Sequence, residues 1–173
     1  MADFSSNANK NDRSWMTAVR TFTVESAPES VHAGIPKPMN REQALFLARM
    51  LLSEVNEMLR TVTNSEEESL LLLHQAIGTD RPPGYKKPDN ETEVLAEQAD
   101  AAVDIIYYLL NALVKQNIDL SPFFNEVHAA NMRKRFPDGQ FHRRKDGKVL
   151  KPDGWKEPNV LSIAKYLRGE INK

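Results

Sequence analysis

The stretch "EQADAAVDIIYYLLNAL", residues 97–113, decides the fold. Its apolar positions return at helical spacing: with Leu95 just ahead, Ala99, Ala102, Val103, Ile106, Leu110 and Leu113 form one stripe. Glu97, Asp100 and Asp104 fall at i, i+3 and i+7, which stacks three carboxylates along one side of the same helix. Like charges at this spacing cost about 0.2–0.5 kcal/mol per pair. No Lys or Arg stands three or four residues from any of them, so the compensating positive charge has to come from outside the helix.

Outward from this stretch the chain reads as more helices joined by polar or proline-rich connectors. Asn90 and Glu93 predict the start of the long helix, over about 91–117. Upstream, Asn40 with Gln43 predicts a capped helix reaching about Val62. Its segment "ALFLARMLLSEVNEML", 44–59, is apolar round most of its circumference, so this helix is expected to be largely buried. Ser65 and Glu68 predict a capping box for a helix ending at Gly78, and "TDRPPGYKKPDN" reads as a loop.

Ser121 and Pro122 read as the N-cap and first position of a helix to about Arg133, and Asn159 as the cap of a last helix, 160–169. Trp15, Met16, Val19 and Phe22 predict one more, over 15–24. Between 136 and 159 three Asp-Gly pairs predict loops and a short hairpin. The expectation is an all-α bundle with an irregular basic C-terminal tail. Residues 1–14 read as disordered and 15–173 as a single domain.

Composition narrows the classes of function. A chain of 173 residues is long enough to bury a core as one domain. No apolar run approaches the roughly 20 residues of a membrane span. A net charge of −1 argues against a general nucleic-acid binder, and the absence of cysteine excludes disulfides, thiolate metal sites and a cysteine nucleophile. "MADFSSNANKNDRS" has no apolar core of a signal peptide, so a cytoplasmic protein is expected.

The apolar helix carries its own acidic pair, Glu54 and Glu57, one turn apart; of the two only Glu57 has a base within helical reach, Arg60, in a poor orientation. Acids on an apolar helix are costly unless paired, protonated or bound to metal. A glutamate pair alone is common on solvated helix surfaces. Two such stripes on two apolar helices, packed antiparallel, would gather four or five oxygens, a donor set suited to Mg²⁺ or Mn²⁺. A di-iron site would want Glu-x-x-His on two helices, and the one such spacing, Glu29 to His32, lies in a proline-rich connector.

The basic tail suits a phosphate ligand. Asn131 and Lys134, at i and i+3 near a helix end, can point at one ligand together. Most of the bases that follow, Lys148 and Lys151 among them, read rather as a solvated charge run. Trp155 is either core of the tail or a surface on which a base stacks.

In combination, "SEVNE" (53–57), "EQADAAVDIIYYLLNAL", "NEVHAANMRKR" (125–135) and "RRKDGKVLKPDGWKEPN" (143–159) resemble the MazG-like, all-α nucleoside triphosphate pyrophosphatase superfamily, and within it the phosphoribosyl-ATP pyrophosphohydrolase-like branch. The likeness runs over about residues 15–160. It implies a MazG-like helical bundle, a homodimer or higher homo-oligomer, that uses Mg²⁺ or Mn²⁺ to cleave a nucleotide between its α and β phosphates, giving monophosphate and pyrophosphate.

The resemblance implies metal binding by Glu54, Glu57, Glu97, Asp100 and Asp104, with Glu54 and Glu57 also catalytic. Asn131 would position phosphate or sugar, Lys134 and Lys148 (in the turn Asp146-Gly147-Lys148) would hold the leaving pyrophosphate, and Trp155 is a further substrate contact. Many relatives have a second glutamate where this chain has Ser53, and the interval from Glu57 to Glu97 is longer than in many of them. Two alternatives stand beside this reading: a hydrolase of phosphoribosyl-ATP or another diphosphate at the same site, and a non-catalytic helical interaction protein.

Overall fold

The computed structural model describes residues 12–31, 34–79, 88–144 and 148–171. The expected disorder up to Asn11, most of the 79–90 loop, His32 and the Asp146-Gly147 turn lie outside them. The described elements are α1 (Asp12–Ser26), a 3-10 turn (Pro28–Ser30), α2 (Arg41–Arg60), α3 (Glu66–Thr79), α4 (Glu91–Lys115), α5 (Ser121–Met132) and α6 (Val160–Leu167). The fold is all-α, and of the predicted hairpin the described residues keep one antiparallel bridge, Arg143 with Val149. No described helix is long and apolar enough to cross a membrane.

Local side-chain chemistry sets the helix ends. At α2 the box is reciprocal: Asn40 Oδ1 accepts from the Gln43 N–H and Gln43 Oε1 from the Asn40 N–H, each at 2.9 Å. At α3 the Ser65 hydroxyl accepts from the Glu68 N–H at 3.1 Å, but Glu68 reaches back one residue further, to the Asn64 N–H at 2.8 Å. The start of α4 repeats this, with Asn90 accepting from Glu93 and Glu93 from the Asp89 N–H. α4 stops at Lys115, short of the predicted 117, because Asn117 turns left-handed (φ 55°) and lets the Ile118 N–H return to the Leu113 carbonyl.

The start of α5 corrects the expectation. Ser121 is its first residue, Leu120 is the N-cap without a side-chain bond, and Asp119 Oδ1 accepts the Ser121 N–H at 2.8 Å. The carboxylate of Asp119 is shorter by one carbon than a glutamate and reaches two residues on, which a serine at 121 cannot do for its own N–H.

The chain divides into two compact units, Ile35–Ile105 and Met1–Gly34 with Ile106–Lys173. In the first, α2 packs on α3. Ser69 is fully buried at their contact, its hydroxyl 2.9 Å from the Glu66 carbonyl and 3.2 Å from Asn56 Oδ1 across on α2. The amide of Gln98 on α4 clasps the residue ahead of α2, accepting from the Met39 N–H at 2.7 Å and donating to the Met39 carbonyl at 2.9 Å.

Two expectations about burial fail in the single chain. No residue of α2 is buried, and Phe46 and Met58 are 59% and 57% exposed. Of the predicted α4 stripe, Leu95, Leu110 and Leu113 are half-buried, whereas Ala99, Ala102, Val103 and Ile106 are exposed. The cause within the first unit is the choice of partner: α2 packs on α3, not antiparallel on α4.

In the second unit α1 packs on α5 and α5 on α6. Ala27 and Ala130 are its buried hydrophobics, Trp15 stacks on Phe124 with centroids 4.6 Å apart, and Phe22 meets Phe141 edge-on at 5.5 Å. Small buried residues let the backbone of α5 and the α1 terminus come close to the tail that covers them.

Because Ser69 fills its space completely and bonds across the helix pair, Ser69→Leu should overpack the α2/α3 contact. The expected cost is about 1–3 kcal/mol, read as a lower urea midpoint; an unchanged midpoint would show that this contact does not hold the pair together.

Candidate functional site

The acids come first. Glu54 and Glu57 on α2 and Glu97, Asp100 and Asp104 on α4 are all exposed. Their orientation on α4 follows from Gln98, which turns inward to hold Met39 and so leaves Glu97, Asp100 and Asp104 on other sides of the helix. None of the five accepts a hydrogen bond or joins an ion pair among the described residues, although five other ion pairs form elsewhere. The described residues contain no group of three or more His, Cys, Asp or Glu side chains close enough to hold a metal.

The donor set nevertheless fits a hard divalent cation in kind: every candidate is a carboxylate that joins no ion pair among the described residues. Mg²⁺ usually takes one or two protein carboxylates and completes its shell with water and substrate phosphate. The pair on α2, or two of the acids on α4, meets that demand.

The bases gather more closely. Lys134, at the end of α5, donates to Asn131 Oδ1 at 2.7 Å, so the predicted i, i+3 pair is formed. Its ammonium lies 5.7 Å from the centre of the Trp155 ring, and that of Lys151 lies 4.1 Å from the same ring. Trp155 is fixed by its indole N–H, which donates to the Ala130 carbonyl at 2.9 Å. Gly154 (φ +74°) precedes it in a turn closed from the Trp155 N–H to the Pro152 carbonyl, a backbone shape that favours glycine.

Trp155 therefore serves as a platform for two lysines, through the attraction of a cation to an aromatic face. Burial, then the nearby charges of Lys151 and Lys148, hold the Lys134 ammonium below the usual lysine range. Lys151 also pairs with Glu157 at 3.6 Å, which offsets part of this positive charge.

Several residues of this framework escape sequence reasoning. Lys151 was not separable from the charge run, and only its place over Trp155 singles it out. Glu126 accepts from the Asn159 N–H and from Arg133, both at 3.1 Å, which ties α5 to the start of α6 and lowers the Glu126 pKa. Arg143 Nε donates to the Ser26 carbonyl at 2.7 Å, and Arg135 pairs with Glu25. The tail is thus pinned to the end of α1, which brings Lys148 and Lys151 to a fixed place.

The model of the phosphoribosyl-ATP pyrophosphohydrolase family matches residues 21–131. The chain belongs to this family. A crystal structure of a protein from Exiguobacterium sp. 255-15, described as a candidate NTP pyrophosphohydrolase, superposes with a TM-score of 0.73 at 30% identity, covering 91% of this chain and 96% of that one. No curated protein matches. The fold is MazG-like, and the family places the chain among the pyrophosphohydrolases, hydrolases of acid anhydrides.

The depressed Lys134 gives a test with a definite sign. While this lysine is charged in both the folded and unfolded states, its burial and its neighbours cost stability; that cost is relieved as pH rises through its folded pKa toward its unfolded one. Lys151→Met removes one repelling charge, so the Lys134 pKa should rise in an NMR titration of the side-chain ammonium. A pKa that stays put or falls would mean that Lys151 does not act on Lys134.

Proposed function

We propose that the protein hydrolyses a (deoxy)nucleoside triphosphate between its α and β phosphates, releasing monophosphate and pyrophosphate, with Mg²⁺ or Mn²⁺ held by carboxylates among Glu54, Glu57, Glu97, Asp100 and Asp104. The observation that carries this reading is the set of five exposed carboxylates without a partner among the described residues, in a chain whose family is defined by anhydride hydrolysis. When bound, the metal supplies positive charge opposite the phosphate oxygens and lowers the pKa of water.

The chain's own residues do the rest. Glu54 orients a water molecule toward phosphorus and takes its proton as the new P–O bond forms, with Glu57 beside it. Asn131 positions phosphate or sugar. Lys134 and Lys148 neutralise the charge that builds on the pyrophosphate as the anhydride bond breaks, and Trp155 holds Lys134 and Lys151 in place for it. A cluster whose lysines repel one another in the free protein gains by binding an anion, which is the direction a phosphate site requires.

A second copy of the chain covers the exposed apolar sides of α2 and α4 in this reading. Faces carrying Phe46, Met50, Val103 and Ile106 at 47–59% exposure are costly in water, and a symmetric homo-oligomer is the common remedy. The partner is a nucleotide, not a nucleic acid or a membrane, and the setting is cytoplasmic. The family name favours a second reading of the substrate, phosphoribosyl-ATP, with the same residues acting on the same anhydride.

Pyrophosphate and monophosphate release with Mg²⁺, measured over a panel of ribo- and deoxyribonucleoside triphosphates and phosphoribosyl-ATP, tests the proposal. Selective release that disappears in Glu57→Ala and Asp100→Ala, with helix content by circular dichroism nearly unchanged, is the expected result. No release from any of them would contradict it and favour the interaction protein.

A further inference from the structure

The phosphate-binding lysines leave one feature of the same unit unused. Along α5, Phe124, Val127, His128 and Asn131 stand at i, i+3, i+4 and i+7, and so share one face. Val19 and Phe22 of α1 lie opposite, and the six residues line a half-open cleft of about 170 Å³. Its walls are apolar and aromatic, and His128 lies nearly parallel to Phe124, with an interplanar angle of 8°.

Size limits what can enter. A cavity of about 150 Å³ holds a benzene-sized ring, and whole small-molecule sites run from about 300 Å³ upward. The cleft is half open, so one six-membered ring fills it, while a fused bicycle or the remainder of a nucleotide would stand out into solvent. Aromatic walls suit a flat ring, since stacking on aromatic side chains accepts any base with a π face.

Asn131 joins the cleft to the lysines. Its Oδ1 is engaged by Lys134 at 2.7 Å, which leaves its Nδ2 to donate into the cleft that it lines. A carbonyl oxygen on the ring would accept that donation. Resting on the reading of the Lys134 cluster as a phosphate site, we propose that the α1/α5 cleft is the base subsite and that it takes a pyrimidine, through stacking on Phe22, Phe124 and His128 and a carbonyl bonded to Asn131 Nδ2. Base selection is then set by α1 and α5.

The test has a binding arm and a catalytic arm, both on the full chain. In the first, uridine, cytidine, thymidine, adenosine and guanosine are titrated into the wild-type protein without metal, and the ring resonances of Phe22, Phe124 and His128 are followed by NMR. Pyrimidine nucleosides should shift them, and purine nucleosides should not. In the second, kcat/KM is compared between pyrimidine and purine triphosphates for the wild type and for Val127→Phe, which fills the cleft from its exposed rim. The filled variant should raise KM for pyrimidine triphosphates by about ten-fold, close to 1.4 kcal/mol of binding.

Shifts of the cleft resonances by pyrimidine nucleosides without hydrolysis of any triphosphate would uphold the subsite and overturn the proposed reaction. Hydrolysis with no shift in the cleft, or shifts equal for purines and pyrimidines, would overturn the subsite and leave the reaction standing.

Discussion

Uncompensated charge is the constraint on which this protein turns. Five exposed carboxylates on α2 and α4 join no ion pair among the described residues, and two lysines, Lys134 and Lys151, stand over one tryptophan, with Glu157 3.6 Å from Lys151. Each arrangement is attractive to an ion of the opposite sign. A divalent cation and a polyphosphate are such ions, and they are the two components that a metal-assisted anhydride hydrolase must bind. The family assignment and the charge pattern therefore point to the same chemistry from independent directions.

The framework that presents these charges rests on a few specific contacts. Gln98 binds the Met39 backbone on both its polar groups, and this fixes the rotation of α4 that turns its acids outward. Trp155 binds the Ala130 carbonyl, and Arg143 the Ser26 carbonyl, so the irregular tail is held to α5 and α1 without a sheet. The apolar surfaces tell a complementary story. α2 and α4 leave Phe46, Met50, Val103 and Ile106 exposed in the single chain, and the acids ride on those same helices.

The fold was legible in the sequence wherever the determining contact is local. The Asn40–Gln43 box, the Asn159 cap and the Asn131–Lys134 pair each span three residues, and all are present. Reading failed where the contact is distant: Gln98 to Met39 is separated by 59 positions and Arg143 to Ser26 by 117, and no periodicity reports either. The burial of α2 was misjudged for a related reason. An apolar helix declares that it needs cover, but not whether the cover comes from its own chain. Of the candidate site, the basic half is legible as the Asn131–Lys134 pair and is extended by Lys151 only through its place over Trp155; the acidic half is legible as five carboxylates on two helices, which pair with no base among the described residues.

The central claim, that the orphan carboxylates hold a divalent cation, is tested most directly by electron paramagnetic resonance of Mn²⁺ titrated into the wild-type protein and into Asp100→Asn. The account predicts that the free-ion signal is depleted stoichiometrically by the wild type and far less by the variant. Equal signals from the two proteins would contradict it and return the acids of α4 to the solvated surface.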